Sequence, residues 1–230
     1  MSTKSQASII ASSVGKLLRD NFGKGPGSIY VSISRGFVTM YLQNFLAPME
    51  RILLNQKNDL KIQETRDLMM SELIPEIKWI LTSELNSGVK TILYDWELEK
   101  KSGIIFAEME PIFNESEEED LDYPAKEKLH GEINRFTEKA QKTPMHLVSY
   151  KLNERTIISR REEILVLIEK ELIQSGFSEQ LRLSKRKLEK SLINIDYIES
   201  VLNQEIQDIF VDWDFSDDVG YVVFILKPTK

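Results

Sequence analysis

Tyr94-Asp95-Trp96-Glu97-Leu98, then Gly103-Ile104-Ile105-Phe106, ending at Pro111, is echoed by Val211-Asp212-Trp213-Asp214-Phe215, then Gly220-Tyr221-Val222-Val223, ending at Pro228. Asp, Trp, Gly and Pro recur at one offset of 117 (212−95, 213−96, 220−103, 228−111). Upstream, Lys24-Gly25-Pro26 precedes one alternating stretch and Lys142-Thr143-Pro144 precedes another, at an offset of 118. Self-similarity at a fixed period implies one unit built twice. A chain of 230 residues is long for one domain and comfortable for two modules of about 100 to 115 residues.

Working back from the Asp-Trp strands, Ser8 to Phe22 has helical spacing, with Ile10, Val14, Leu17 and Leu18 on one face and a stop at Gly23 and Gly25-Pro26-Gly27. Period-two alternation over 28–34 and again after the Arg35-Gly36 turn predicts a half-covered antiparallel hairpin. Pro48 suits the first turn of a short helix reaching about Asn55. A longer helix over 59–86 carries Ile62, Leu73, Ile77, Ile80 and Leu81 on one face, with Pro75 expected to kink or break it. Strands at 89–98 and 103–110 close the module. The second unit is expected to repeat this with a helix over 125–141, strands at 146–152 and 155–160, and a helix over 162–174. A long helix over 178–207 follows, with Leu188, Leu192, Ile195, Ile198 and Leu202 on one face, then strands at 208–215 and 220–227. The predicted fold class is α+β: two tandem modules, 1–113 and 124–230, each a four-stranded antiparallel sheet with its helices packed on one face.

Composition narrows the function classes. Hydrophobic residues make up 41% and charged residues 29%, as in soluble globular proteins. The chain has no cysteine, which excludes disulfides, thiolate metal sites and a cysteine nucleophile. The N-terminus lacks the apolar core of a signal peptide, and no apolar run approaches the roughly 18 to 20 residues that span a bilayer, so a cytoplasmic location is expected. The net charge of −7 lies almost wholly in 114–123, an acidic linker with six carboxylates; residues 1–113 carry 13 basic and 13 acidic side chains, and residues 124–230 carry 17 and 18. Near-neutral halves lack the electrostatic footprint of nucleic-acid binding.

Each candidate for chemistry has a plainer competitor. Gly23-Lys24-Gly25-Pro26-Gly27 resembles a phosphate loop in composition, but it follows a helix and enters a strand, the reverse of the order that aims a helix N-terminus at an anion. It reads as a helix stop and turn, or as a contact surface. Alternation places Trp96 with Ile92, Tyr94 and Leu98 in the core and Asp95 with Leu93 and Glu97 on a partly exposed face; Asp95 and Asp212 then serve either strand polarity or paired-carboxylate chemistry. Glu50 and Arg66, in the two helices after the first hairpin, are placed for an ion pair of structural or functional use. His130 and His146 have no partner at metal-ligand spacing, so no metal or other cofactor is expected. The basic run Arg182, Lys185, Arg186, Lys187 and Lys190 reads as a solvated face, or as a contact for the acidic linker or an acidic partner.

Gly23-Lys24-Gly25-Pro26, Leu46-Ala47-Pro48-Met49-Glu50, Arg66 and Asp95, in this order and spacing, resemble the MpsC-like family of small bacterial proteins named for a Na-translocating system. Its members usually carry threonine before the proline, and Ala47 removes that helix cap here. The second unit shows no such segment around Ser159 to Glu163. The resemblance implies a cytoplasmic, non-enzymatic accessory protein linked in name to membrane cation or inorganic-carbon transport. The duplication, the near-neutral halves and the absence of catalytic groups point to an interaction module whose two units are expected to pack as a pseudo-dimer, with protein partners and self-association as its expected interactions. Gly25, Pro26, Pro48, Glu50, Arg66 and Asp95 form its candidate surface, and the first unit is expected to hold the family's function while the second supports it. The competing reading is a small-ligand-binding or enzymatic protein using the polar sheet face around Asp95, Glu97 and Asp212; nucleic-acid binding ranks third.

Overall fold

The computed structural model describes residues 5–110 and 123–228. The chain divides into two compact units, Met1–Ser116 and Glu117–Lys230. The first contains α1 (Gln6–Phe22), β1 (Ser28–Ser34), β2 (Phe37–Gln43), α2 (Pro48–Asn55), α3 (Asp59–Leu85), β3 (Val89–Glu97) and β4 (Ser102–Met109). The second contains α4 (Lys126–Ala140), β5 (His146–Asn153), β6 (Thr156–Glu162), α5 (Leu167–Gln174), α6 (Ser178–Leu192), α7 (Ile195–Leu202), β7 (Ile206–Asp214) and β8 (Val219–Leu226). Each unit folds its strands into one antiparallel sheet, in the orders β1-β2-β4-β3 and β5-β6-β8-β7. The two hairpins of a unit thus meet through their second strands, leaving β1 and β3, or β5 and β7, at the edges.

The recurring Trp and Gly are cross-strand partners: Trp96 stands opposite Gly103 and Trp213 opposite Gly220. A Cβ on Gly103 would lie 2.4 Å from the Trp96 ring, and one on Gly220 would lie 2.8 Å from the Trp213 ring. The indole occupies the volume of the absent side chain, which couples the two residues at fixed spacing. Around Trp96 the helix-covered core gathers Ile10, Val14, Leu18, Ile62, Ile77 and Leu81 from α1 and α3. Around Trp213 it gathers Leu129, Ile133, Phe136 and Ile198 from α4 and α7. One helical layer on one sheet face gives the α+β modules the sequence predicts.

Three expectations need correction. Asp95 and Asp212 are buried, at 2% and 0% exposure, rather than on a partly exposed face. Their neighbours on that side, Leu93, Ile104 and Phe106 in the first unit, are buried as well. Continuous apolar runs such as Ile104-Ile105-Phe106-Ala107 belong to strands out of water on both faces, and alternation in β3 alone hides this. Second, Pro75 does not break α3, which is continuous from Asp59 to Leu85, whereas the helix expected over 178–207 is interrupted after Leu192. There Ile193 turns extended, and Asn194 caps α7 by accepting the Tyr197 N–H at 3.1 Å. Third, Leu188 and Ile195 are exposed; the buried stripe of α6 is instead Leu181, Lys185 and Glu189. The acidic linker lies outside the described residues except for Tyr123, which is buried in the second core.

Candidate functional site

In the first unit three of the candidate residues, Pro48, Glu50 and Arg66, converge at the junction of β2, α2 and α3. The backbone enters α2 through Phe45, Leu46 and Ala47, with Pro48 at the first helical position. Ala47 has no side chain to cap the helix, and Glu50 supplies the reciprocal contact: its Oε2 accepts the Ala47 N–H at 2.7 Å. Arg66, about two turns into α3, donates Nε to Glu50 Oε1 and Nη2 to Glu50 Oε2, both at 2.7 Å, and Nη2 also reaches the Phe45 carbonyl at 2.9 Å. Its guanidinium carbon lies 4.7 Å from the Trp96 ring centroid, 4.8 Å from Phe45 and 5.8 Å from Phe22. Arg66 is fully buried, while the Glu50 side chain retains 14% exposure. A planar, weakly hydrated guanidinium can stack on rings and grip a carboxylate bidentately at once.

Gly23 closes α1 in the left-handed conformation at φ 70°, as a helix stop requires. Gly25 allows close passage: a Cβ there would meet Arg19 Cβ at 3.1 Å and the Gly15 carbonyl at 3.3 Å. Gly25 and Pro26 therefore lie on the α1 to β1 turn, away from the Glu50 and Arg66 pair, although Lys24 Nζ donates to the Leu46 carbonyl at 3.2 Å. Asp95 accepts the backbone N–H of Trp96 at 2.7 Å.

The second unit rebuilds the junction with different chemistry. The equivalence follows β6 into α5, so that Asn44 and Glu163, both at positive φ, and the starts of α2 and α5 all correspond at an offset of 119. The missing segment is therefore Leu165-Val166-Leu167-Ile168-Glu169, a few residues beyond the place where the sequence reading sought it. Glu169 repeats the role of Glu50, accepting the Val166 N–H at 2.9 Å. Lys185 stands where Arg66 stands, donating to Glu169 Oε1 at 2.6 Å and to Gln141, 5.1 Å from the Trp213 ring centroid. Burial pushes the Lys185 ammonium below its usual value, against the opposing pull of Glu189 and Glu169.

Beneath it the copies diverge further. Leu42 and Met70, both wholly buried in the first core, correspond to Arg161 and Glu189. Arg161 Nη1 is 2.8 Å from Glu189 Oε2 and donates to Thr137 Oγ1 at 2.9 Å, and Gln141 Nε2 donates to Glu189 Oε1 at 2.7 Å. Arg182 donates to Asp212 and to the Trp213 carbonyl, and Arg186 lies 3.5 Å from Asp212. Arg182, Lys185 and Arg186 thus turn into the fold toward internal carboxylates, correcting the solvated-face reading for these three, while Lys187 of the same run is exposed. A clue lay in the i, i+4 spacing of Leu181, Lys185 and Glu189, the period of a buried stripe. His130 bonds Ser149 Oγ at 2.6 Å and His146 lies exposed at a strand start.

No helix among the described residues is long and apolar enough to cross a membrane. Neither the curated proteins nor the solved structures contain a match to the chain. The family described as Na+-translocating membrane potential-generating system (MpsC) matches residues 2–110 and again residues 125–228. The chain therefore belongs to the MpsC family and carries its domain twice.

Proposed function

We propose that the chain is a non-enzymatic accessory protein of a Na+-translocating membrane system, working at the cytoplasmic side and contacting a protein partner through α2. The observation that carries this reading is the way α2 is held. Glu50 fixes its first turn and Arg66 fixes Glu50, yet no residue of the helix is buried, and Met49 and Ile52 are 74% and 59% exposed. The corresponding α5 exposes Leu167 and Ile168 at 87% and 65%. A short helix anchored from below with large apolar side chains in water is suited to recognition by a partner. The Glu50 carboxylate and the Nε and Nη2 groups of Arg66 are spent on one another and on backbone, while Arg66 Nη1 is buried without a hydrogen-bond partner among the described residues; the bidentate grip favours a holding role over acid/base work. The burial of Asp95 and Asp212 likewise counts against a ligand site on that sheet face.

The test is affinity purification of the tagged chain at native abundance from gently solubilised membranes. A membrane-transport component should co-purify, and Met49→Glu with Ile52→Glu should abolish its recovery while leaving the melting curve unchanged. Purification without any membrane component would sink the reading. A thermal-shift screen against nucleotides and metabolites serves as the counter-test, since a ligand raising the melting point by several degrees, lost in Asp95→Ala, would favour the ligand-binding class.

A further inference from the structure

The edge strand β1 is Ser-Ile-Tyr-Val-Ser-Ile-Ser, seven residues with no charge and no proline, and none of its side chains is fully buried. Natural edges are usually guarded by lysine, proline or a bulge, because an unpaired row of N–H and C=O groups invites another strand. The guards are present in the second unit. The position of Ile33 is taken there by Lys151, and β5 bulges between Lys151 and Asn153. The position of Val31 is taken by Ser149, whose hydroxyl is bonded by Tyr123 at 2.7 Å and by His130.

We propose that β1 is a self-association edge, pairing antiparallel with β1 of a second copy of this chain about a two-fold axis through Val31. Three features carry the proposal. First, Arg35 and Gly36, at φ 51° and 69°, form a two-residue turn, so Ser34 and Phe37 flank it as a hydrogen-bonded pair. Alternation then aims the N–H and C=O groups of Ser28, Tyr30, Ser32 and Ser34 at β2, and those of Ile29, Val31 and Ile33 outward. An axis at Val31 pairs Val31 with itself and Ile29 with Ile33 of the other copy, so every outward donor and acceptor is met. Second, the strand is nearly palindromic about that residue: Ser28 faces Ser34, Ile29 faces Ile33 and Tyr30 faces Ser32. An isologous contact needs this self-complementarity, and an uncharged strand meets it without like-charge repulsion. Third, the flank of α1 beside β1 is small and indented. Ala11, Ser12 and Gly15 line a depression with Pro26, Gly27 and Ile29, leaving room for the partner's α1, with Lys16 and Arg19 as the charged residues of the same lining. In the second unit Ala11 and Gly15 are replaced by His130 and Asn134, which fill the equivalent flank.

The full 26.7 kDa chain is tested by sedimentation equilibrium across the micromolar range. The wild type should reach twice the monomer mass. Ile33→Lys, which installs the lysine of the second unit at an exposed position, should weaken the dimer at least about tenfold with an unchanged melting curve. Because the chain has no cysteine, Val31→Cys locates the axis directly. Paired Cα atoms there would lie about 5.5 Å apart, within disulfide reach, so mild oxidation should give a covalent dimer. Ser149→Cys should not. A monomeric wild type, a dimer indifferent to Ile33→Lys, or equal crosslinking by Ser149→Cys would each overturn the proposal.

Discussion

The junction around Arg66 and the junction around Lys185 occupy the same place in two copies of one fold, and they solve the same problem differently. Each must hold a short helix none of whose apolar side chains is fully buried, although Leu53 and Leu54 of α2 pack partly against the first core. The first unit uses a guanidinium that grips Glu50 with two bonds and lies against three aromatic rings, over an apolar floor containing Leu42 and Met70. The second uses a lysine, whose compact ammonium cannot fork or stack as well. It recruits Gln141 where the first unit has Phe22, and it sits above a buried Arg161 and Glu189 pair. One cation in an apolar cradle has become a polar network, so the copies share a backbone while differing in what stabilises it.

The largest expected effect comes from removing the first cation. Arg66→Met leaves the Glu50 carboxylate without its countercharge at a site mostly out of water and should destabilise the chain by about 3 to 5 kcal/mol. Chemical denaturation followed by tryptophan fluorescence reads this loss, and a change within error of the wild type would mean the pair is not what holds α2.

Next in size is a conversion of the second floor into the first. Arg161→Leu together with Glu189→Met recreates the apolar pair and should be neutral or stabilising by about 1 to 4 kcal/mol, whereas Arg161→Leu alone should destabilise. If the double variant proves as unstable as the single, the network contributes more than the apolar floor it replaced.

Acid sensitivity separates the copies at their first helices, where α4 carries Glu132 and α1 carries Ser13 at the same offset of 119. Burial alone would raise the Glu132 carboxyl, but the bidentate Arg135, the Asn194 N–H and Lys139 bring it below the usual 4.5. A depressed carboxyl contributes stability that is full above its unfolded-state value and lost as pH falls through the lowered one. Glu132→Gln should therefore flatten the acid limb of stability against pH; an unchanged limb would assign the acid loss to other carboxylates.

The smallest effect is expected at Ala47. Ala47→Thr restores a side-chain cap to α2 and should add about 0.5 to 1 kcal/mol, visible as a small rise in the denaturation midpoint.

Much of this was readable in advance for a local reason. Hydrophobic period, glycine stops and Pro48 depend on neighbours in sequence, and they located α1, α2 and both hairpins of the first unit within a few residues. The Trp and Gly repeat was visible because an indole and its missing Cβ are separated by one hairpin of constant length. The Glu50 and Arg66 pair was foreseen as two charges on successive helices. What failed was any inference that treated charge as exposure. Arg182, Lys185, Arg186 and Asp212 are as polar as any surface group, and only the arrival of a countercharge from another element makes their burial tolerable.

The sequence alone therefore determined that one α+β unit is built twice, because the spacing of a tryptophan, its glycine and their turns is a property of the chain. Only the tertiary structure decided that each unit is stabilised by its own, unlike interior and that β1 and β5 are guarded unequally. Burial, countercharge and a free strand edge are relations between segments distant in sequence, and they do not exist until the chain has folded.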